Sequence, residues 1–137
     1  MPGTKIEFNS NKITRIQGLD ELAALLFSRN RAQQKIFLAI FIEVKYAKGE
    51  FVPFLKPLCD RYGFSPRMLE TVRSKMRRLG LIDHVCRFNK SQGYREGWVL
   101  STRFNHALTR LVELTKGFRE RKDVLQEHKD RDLFRYL

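Results

Sequence analysis

The chain has 137 residues, of which 27 are Lys or Arg and 15 are Asp or Glu, giving a net charge of +12. This length suits one domain, or a small domain with an appendage. A hydrophobic content of 42% excludes general disorder, and no apolar run approaches the roughly 20 residues that a membrane helix requires. We therefore expect a strongly basic folded protein, with a polyanion as the first partner to consider.

Two cysteines and the start of the chain bear on its compartment. Cys59 and Cys86 cannot form a disulfide framework or a Cys-x-x-Cys metal site, and they fit a reducing environment. The first residues contain no apolar stretch that resembles a secretion signal. The expectation is an intracellular protein without a membrane segment.

The positive charge is concentrated in the middle of the chain. Residues 61–97 carry 9 basic and 3 acidic side chains, whereas residues 1–60 and residues 98–137 each carry 9 basic and 6 acidic ones. The middle quarter therefore holds half of the net charge. This distribution indicates a binding surface there, and the alternative is a solvated basic face without a partner.

Turn and capping residues predict a mainly helical N-terminal half. Ser28 is a candidate N-cap for the longest helix, and Pro53 restricts its segment to an edge strand or a connection. Ser65 followed by Pro66 begins a further helix, which Gly80 ends. The predicted elements are an irregular or short-hairpin arm that ends in a short helix over 19–27, helices over 29–48, 56–62 and 65–79, and the edge segment 50–54.

The segment after Gly80 predicts a β-hairpin. Leu81–Phe88 and Glu96–Ser101 are rich in β-branched and aromatic residues, and they flank the polar, basic segment 89–95. This pattern is typical of two strands joined by a long basic tip.

The C-terminal segment has two interpretations. A helix is predicted over 102–116, with Gly117 as a candidate interruption and with Leu108, Leu111 and Phe118 on one apolar stripe. This stripe is either a dimer interface or packs on the chain's own first long helix. Because the chain ends in an aromatic and apolar cluster that is unsuited to free exposure, we favour a homodimer.

The predicted helix over 65–79 has two distinct faces. One is an apolar stripe that follows the helical period of 100° per residue, formed by Leu69, Val72, Met76 and Leu79. The opposite face is basic and hydroxylated, formed by Arg67, Thr71, Ser74 and Arg78. Arginine can bond both acceptors of a guanine, and short hydroxyl residues permit close approach to DNA. The alternative, an ordinary surface helix, would carry more acidic residues.

Several neighbouring side chains have structural interpretations. We expect Glu70 to pair with Arg73 or with the adjacent Ser74, although it could instead accept from a cytosine amine. Trp98 is expected to pack beneath the hairpin. His84 and Cys86 are also expected to pack there, because their spacing gives no paired zinc ligands.

The order of these signals is similar to that of a known family. From Leu58 to Ile82 the chain reads LCDRYGFSPRMLETVRSKMRRLGLI. Gly63 occupies a turn between two helices, Ser65 caps the second helix, and Gly80 leads into the first strand of the hairpin. This arrangement resembles the winged helix-turn-helix regulators of bacteria and archaea, and the resemblance covers residues 29–101.

The resemblance implies a mainly α fold with a small β-hairpin wing (α+β). Its parts would be an N-terminal arm with a short helix over 1–27, a winged helix-turn-helix domain over 28–101 and a C-terminal helical extension over 102–137. It implies a sequence-specific double-stranded DNA-binding protein that regulates transcription. The recognition helix 65–79 would lie in the major groove, and the basic wing 87–95 would contact the backbone or the minor groove.

The expected DNA contacts are assigned residue by residue. Four outward residues of the recognition helix would read bases, namely Arg67, Thr71, Ser74 and Arg78. The other residues would hold phosphates or belong to the wing, namely Ser65, Lys75, Arg77, Arg87, Lys90, Gln92, Tyr94 and Arg95. No cofactor or metal is expected, and the protein is expected in the cytoplasm, associated with the nucleoid.

A second interpretation belongs to another functional class. The same fold can bind RNA or dock within a replication, transcription or RNA-processing complex, because fold alone does not decide function. An enzyme is the more distant alternative, since the sequence has no Gly-rich phosphate loop, no carboxylate cluster and no nucleophile beside a recognisable base.

Overall fold

The structure, a computed structural model, describes residues 4–91 and 93–137. Within these ranges the chain is mainly helical with a two-stranded antiparallel hairpin, which confirms the expected α+β class. The elements are α1 (Ser10–Thr14), α2 (Leu19–Leu26), α3 (Arg31–Lys45), α4 (Pro57–Tyr62), α5 (Pro66–Leu79), β1 (Ile82–Asn89), β2 (Gly93–Leu100), α6 (Arg103–Arg119) and α7 (Val124–Asp132). The chain forms two compact units, one that runs to Phe104 and one that covers Asn105–Leu137.

Helix α5 begins and ends at the residues that the sequence predicts. The Ser65 hydroxyl oxygen accepts a hydrogen bond from the Met68 amide at 3.1 Å. Pro66 occupies the first helical position, where its missing N–H needs no partner. Gly80 ends the helix with φ of 85°, a left-handed conformation that favours glycine. The predicted cap, proline and terminal glycine are therefore confirmed.

The start of α3 differs from the prediction. Asn30 caps this helix, because its side-chain oxygen accepts from the Gln33 amide at 3.0 Å. The Ser28 hydroxyl instead donates to a Glu7 carboxylate oxygen at 2.7 Å. Arg29 lies between the two candidates with φ of 62°, which prevents the helix from continuing back to Ser28.

The N-terminal arm is helical where the sequence predicts an irregular segment or a short hairpin. The Asn9 side chain accepts from the Lys12 amide at 3.1 Å and so caps α1. Asparagine is common both in turns and at helix N-caps. Here Asn9 caps a short helix, whereas the sequence suggested a turn. The short helix predicted over 19–27 corresponds to α2.

The hydrophobic core of the first unit joins the helices to the base of the hairpin. Helix α3 contributes Ile36, Phe37, Ile40 and Val44, and α5 contributes Leu69, Val72 and Met76. Burial of these α5 residues confirms the predicted apolar stripe. Trp98 of β2 is 8% exposed and belongs to the same core, as expected.

The segment before α4 pairs with the hairpin. The Val52 amide donates to the Trp98 carbonyl at 2.9 Å, and the Trp98 amide donates back at 2.7 Å. This bridge confirms that the segment 50–54 is an edge connection. Its close approach requires glycine at position 97, where an added Cβ would lie 2.6 Å from the Val52 carbonyl oxygen.

The second strand of the hairpin is longer than predicted, because β2 begins at Gly93 and not at Glu96, whereas β1 keeps the predicted length and is shifted by one residue. In the register, Arg87 faces Arg95 and Phe88 faces Tyr94, so these residues lie within the ladder. The prediction of a long basic tip over 89–95 is therefore wrong. Polar and basic residues are compatible with the strand here because a two-stranded sheet leaves much of its surface in water.

Helix α6 continues through Gly117, so the predicted interruption there is wrong. Glycine lowers helix stability by about 1 kcal/mol relative to alanine, which the surrounding helix-forming residues tolerate. None of the residues of α6 is buried. After α6, the Asp123 side chain accepts from the Gln126 amide at 2.7 Å and caps α7. Among the described helices, none has the length and apolar character needed to span a membrane.

Gly80→Ala tests the close approach at the end of α5. A Cβ there would lie 2.8 Å from the Phe104 backbone nitrogen and 2.9 Å from Cβ of Arg103. Gly63→Ala is the matched control, because Gly63 also has a positive φ, of 73°, with nothing within 4 Å of the added atom. We expect Gly63→Ala to lower the free energy of unfolding by about 1 kcal/mol and Gly80→Ala by at least about 2 kcal/mol, measured by urea denaturation. Equal losses would contradict the close approach.

Candidate nucleic-acid interface

The outer face of α5 carries the predicted base-reading residues. Arg67, Thr71 and Arg78 are exposed and Ser74 is half-buried, on the side of the helix opposite its buried stripe. At 1.5 Å per residue, Arg67 and Arg78 are separated by about 16 Å along the helix axis. Neither arginine has an ion-pair partner among the described residues. Their charge therefore faces the solvent uncompensated.

The N-terminus of α5 offers one backbone donor to a phosphate. The amides of Met68 and Leu69 both bond Ser65, to its hydroxyl and its carbonyl oxygen respectively. Pro66 has no N–H, and the Arg67 amide has no partner in the described part of the chain. The phosphate site predicted at Ser65 consists of this amide and the remaining hydroxyl proton.

Lys75 is directed into the protein. Its ammonium donates to the Leu26 carbonyl, at the C-terminal end of α2, and lies 4.5 Å from the centroid of the Phe27 ring. Burial, and to a smaller extent the neighbouring Arg78, lowers the pKa of Lys75. This predicted phosphate ligand therefore lies at the contact between α2 and α5, where a cation at a helix C-terminus is stabilising.

Arg73 contacts the hairpin from the middle of α5. Its guanidinium lies 5.0 Å from the Trp98 ring centroid and 3.8 Å from a Glu70 carboxylate oxygen. The expected pairing of Glu70 with Arg73 is confirmed. The His84 ring packs edge-on against Trp98 at 4.8 Å, also as expected. The negative charge of Glu70, which lies beside the outer face of α5, is therefore paired with the positive charge of Arg73.

The C-terminal end of α5 is held by Arg103. Its guanidinium donates to the Arg77 carbonyl at 3.0 Å and to an Asp83 carboxylate oxygen at 3.0 Å. The hydrogen bond from Arg103 lowers the pKa of Asp83. Because Asp83 is paired with Arg103, it offsets less of the positive charge of the nearby Arg77. The Arg77 side chain is exposed, as expected of a phosphate ligand.

Two arginines of the hairpin share one aromatic ring. Arg87 and Arg95 are direct cross-strand partners, and their guanidinium carbons lie 5.5 and 5.1 Å from the Phe51 ring centroid. Like charges at opposed positions repel, whereas the ring attracts both cations. A bound anion would relieve the repulsion. The sequence did not predict this role of Phe51. Phe51 is far from the hairpin in sequence, and it lies beneath the two arginines because Val52 pairs with Trp98.

The hydroxyl of Tyr94 is used within the hairpin. It lies 2.9 Å from Cys86 Sγ and 3.2 Å from a Glu96 carboxylate oxygen. The contact with Cys86 is the main cause that raises the pKa of Tyr94 to about 12. Cys86 is exposed, so the expectation that it packs beneath the wing is wrong. That face of the hairpin is open to solvent beyond Trp98.

Two of the predicted residues remain, Lys90 and Gln92. Lys90 is exposed, and Gln92 lies outside the described residues. In the described part of the chain, no three His, Cys, Asp or Glu side chains are arranged to hold a metal ion.

The chain was compared with protein-family models, curated proteins and solved structures, and none of these comparisons gives a match. A function for this surface is therefore proposed from its residues alone.

Lys75→Met separates a structural role of this side chain from a phosphate-binding one. Methionine retains an apolar stem but cannot donate to the Leu26 carbonyl or place a charge over Phe27. We expect the free energy of unfolding to fall by about 1–3 kcal/mol in urea denaturation. The control, Lys90→Met, removes an exposed lysine and should change stability by less than about 0.5 kcal/mol. Equal stability of the two variants would contradict the internal contacts of Lys75.

Proposed function

We propose that the chain is a winged helix-turn-helix protein that binds double-stranded DNA and regulates transcription. The observation that carries this proposal is the two-faced character of α5. Its inner stripe is buried in the core. On its outer face, Arg67 and Arg78 have no acidic ion-pair partner among the described residues. In this proposal α4 and α5 are the helix-turn-helix, and β1 and β2 form the wing.

Helix α5 has the dimensions and the chemistry that a major groove accepts. An α-helix is about 10–12 Å across, and the groove of B-DNA is about 12 Å wide. Arg67 and Arg78 are suited to bidentate bonds with guanine. Thr71 donates its proton to the Arg67 carbonyl at 3.0 Å, so its hydroxyl oxygen faces outward as an acceptor. Such an acceptor suits the amino group of adenine or cytosine.

The hairpin supplies phosphate contacts in this proposal. Between residues 87 and 95 the chain has Arg87, Lys90 and Arg95 and no acidic residue. The Phe51 ring beneath the two arginines orients them, which reduces the entropy that a phosphate contact would cost. Together with Arg77 and the α5 N-terminus, these residues make up the proposed phosphate set. Lys75 does not belong to it, because its ammonium is used internally.

Substitutions of the outer arginines of α5 test the proposed reading role. A preferred duplex is first selected from random sequence, and its affinity is then measured by fluorescence anisotropy. Arg67→Ala and Arg78→Ala should each weaken binding by about 1–3 kcal/mol and relax the sequence preference. The control Arg119→Ala removes the same charge from the second unit, and it should leave the sequence preference intact. If Arg67→Ala and Arg119→Ala behaved alike, α5 would not be the reading element.

The same titration distinguishes the functional classes. Binding of random duplex DNA should weaken steeply as salt is raised, because phosphate contacts release counterions. A preference for structured RNA, or binding that is insensitive to salt, would favour an interaction module in an RNA or protein complex. Weak and equal binding to duplex DNA, single-stranded DNA and RNA would contradict the proposed function.

The second unit supports a homodimer within this proposal. Leu108, Leu111 and Phe118 of α6 are 43%, 54% and 76% exposed, and they follow one helical stripe. An unpartnered stripe of this kind is typical of an interface. Two-fold pairing would present two copies of α5 to half-sites about one helical turn apart.

Leu111→Glu tests the dimer. A carboxylate in the centre of the apolar stripe should abolish self-association, because burying an unpaired charge is costly. Sedimentation equilibrium should give a dimer mass for the wild type and a monomer mass for the variant. Thr109→Glu places the same side chain on the opposite side of α6 and should remain dimeric. A monomeric wild type would overturn this part of the proposal.

A further inference from the structure

The face of the hairpin that carries Trp98 ends in two uncovered aromatic rings. Side chains of a strand alternate between faces, so the cross-strand pairs His84–Trp98, Cys86–Glu96 and Phe88–Tyr94 share one face. Trp98 is covered by Arg73 of α5. Phe88 and Tyr94, four residues further from the core along β1 and β2, are 77% and 63% exposed.

No packing within the described chain explains why aromatic rings stand at these two exposed positions. Phe88 makes no ring contact with another described aromatic residue. Tyr94 uses its hydroxyl on Cys86 and Glu96, which leaves the ring as the part it can offer to a ligand. Burying an aromatic side chain is favourable, and here that contribution is not realised within the described part of the fold.

The charge around the pair indicates which ligand would cover it. Arg87 and Arg95 lie on the opposite face of the same strands, and Lys90 follows at the turn. A hairpin with flat apolar rings on one face and cations on the other face and at its turn complements a nucleic-acid strand, in which flat aromatic groups are joined to phosphates. A nucleotide has this composition, whereas an apolar peptide face would not use the three cations.

The shape of the pair further indicates an unpaired base. Within a continuous duplex each base is stacked on both sides, so its ring face is inaccessible to a protein side chain. An unpaired base next to the end of a duplex exposes its face, and aromatic side chains bind such faces with little sequence preference.

We propose that Phe88 and Tyr94 form a stacking site for an unpaired nucleobase, so that the protein binds a junction between duplex and single-stranded DNA more tightly than continuous duplex. This inference rests on the proposed function, since α5 and the basic residues of the hairpin hold the adjoining duplex. In such a complex the unpaired base lies on the Phe88 and Tyr94 face of the hairpin, and the phosphates of the adjoining duplex lie beside Arg87 and Arg95 on the other face.

The experiment compares two DNA ligands of identical duplex sequence. One is a blunt duplex of about 12 base pairs, slightly more than one helical turn. The other carries a single-stranded tail of about five nucleotides, with 2-aminopurine as the first unpaired base. Wild-type protein should bind the tailed ligand roughly tenfold more tightly in fluorescence anisotropy. It should also change the 2-aminopurine fluorescence, because stacking on an aromatic ring alters its emission.

The variants remove the ring while keeping an apolar side chain. Phe88→Leu should abolish the tenfold preference and the fluorescence change, with blunt-duplex affinity unaltered, and Tyr94→Leu should abolish the same two signals. Tyr94→Phe retains the ring and should retain both signals. The control is Phe54→Leu, since Phe54 is 74% exposed and lies outside the hairpin strands. It should behave as the wild type does.

The outcomes separate this inference from the proposed function. Equal affinity of the wild type for tailed and blunt duplex, without a fluorescence change, would overturn the stacking site and leave duplex binding intact. Absence of binding to both ligands would overturn both proposals. A lower mass of Phe88→Leu in sedimentation would show that the rings contact a second copy of the chain, and this result would also overturn the stacking site.

Discussion

The backbone junction that follows α5 is the constraint on which the rest of the first unit depends. The Leu81 amide bonds the Met76 carbonyl, the Ser101 amide bonds the Leu81 carbonyl, and the Phe104 amide bonds the Gly80 carbonyl, each at 2.9 Å. The end of α5, both ends of the hairpin and the start of α6 are therefore joined by hydrogen bonds at two consecutive residues, Gly80 and Leu81. Because the chain reverses there with a positive φ and almost no free space, the direction of the hairpin relative to α5 is fixed by backbone geometry.

Local signals were sufficient to predict the elements around this junction. Ser65, Pro66 and Gly80 act on the three or four residues beside them, so their effect is visible in sequence alone. The apolar period of α5 is also local, and it identified which side of the helix is buried. The same reasoning identified Trp98 as a core residue, because a large aromatic side chain in a two-stranded hairpin needs a cover that only the helices provide.

Features that depend on distant contacts were outside the reach of those signals. Ser28 and Asn30 are both competent caps, and the choice between them is made by Glu7, which is remote in sequence and bonds the serine. The sequence predicts Lys75 as a phosphate ligand, because nothing nearby in the sequence shows that the Leu26 carbonyl lies within reach of its ammonium. Phe51 orients the hairpin arginines through tertiary packing alone. Charge patterns show which segment of the chain is the most basic, but the contacts of its individual cations follow only from the fold.

The division of labour along α5 has a consequence for how such a protein diversifies. Arg73 and Lys75 brace the helix against the hairpin and against α2, so their replacement alters the scaffold itself. Among the four outward positions, Arg67, Thr71 and Arg78 are exposed and Ser74 is half-buried. Substitutions at such surface positions usually change the free energy of unfolding far less than substitutions in the core do. If α5 reads DNA as proposed, substitutions at these few positions would change the bases that it prefers, whereas substitutions of Arg73 or Lys75 would change the stability of the fold.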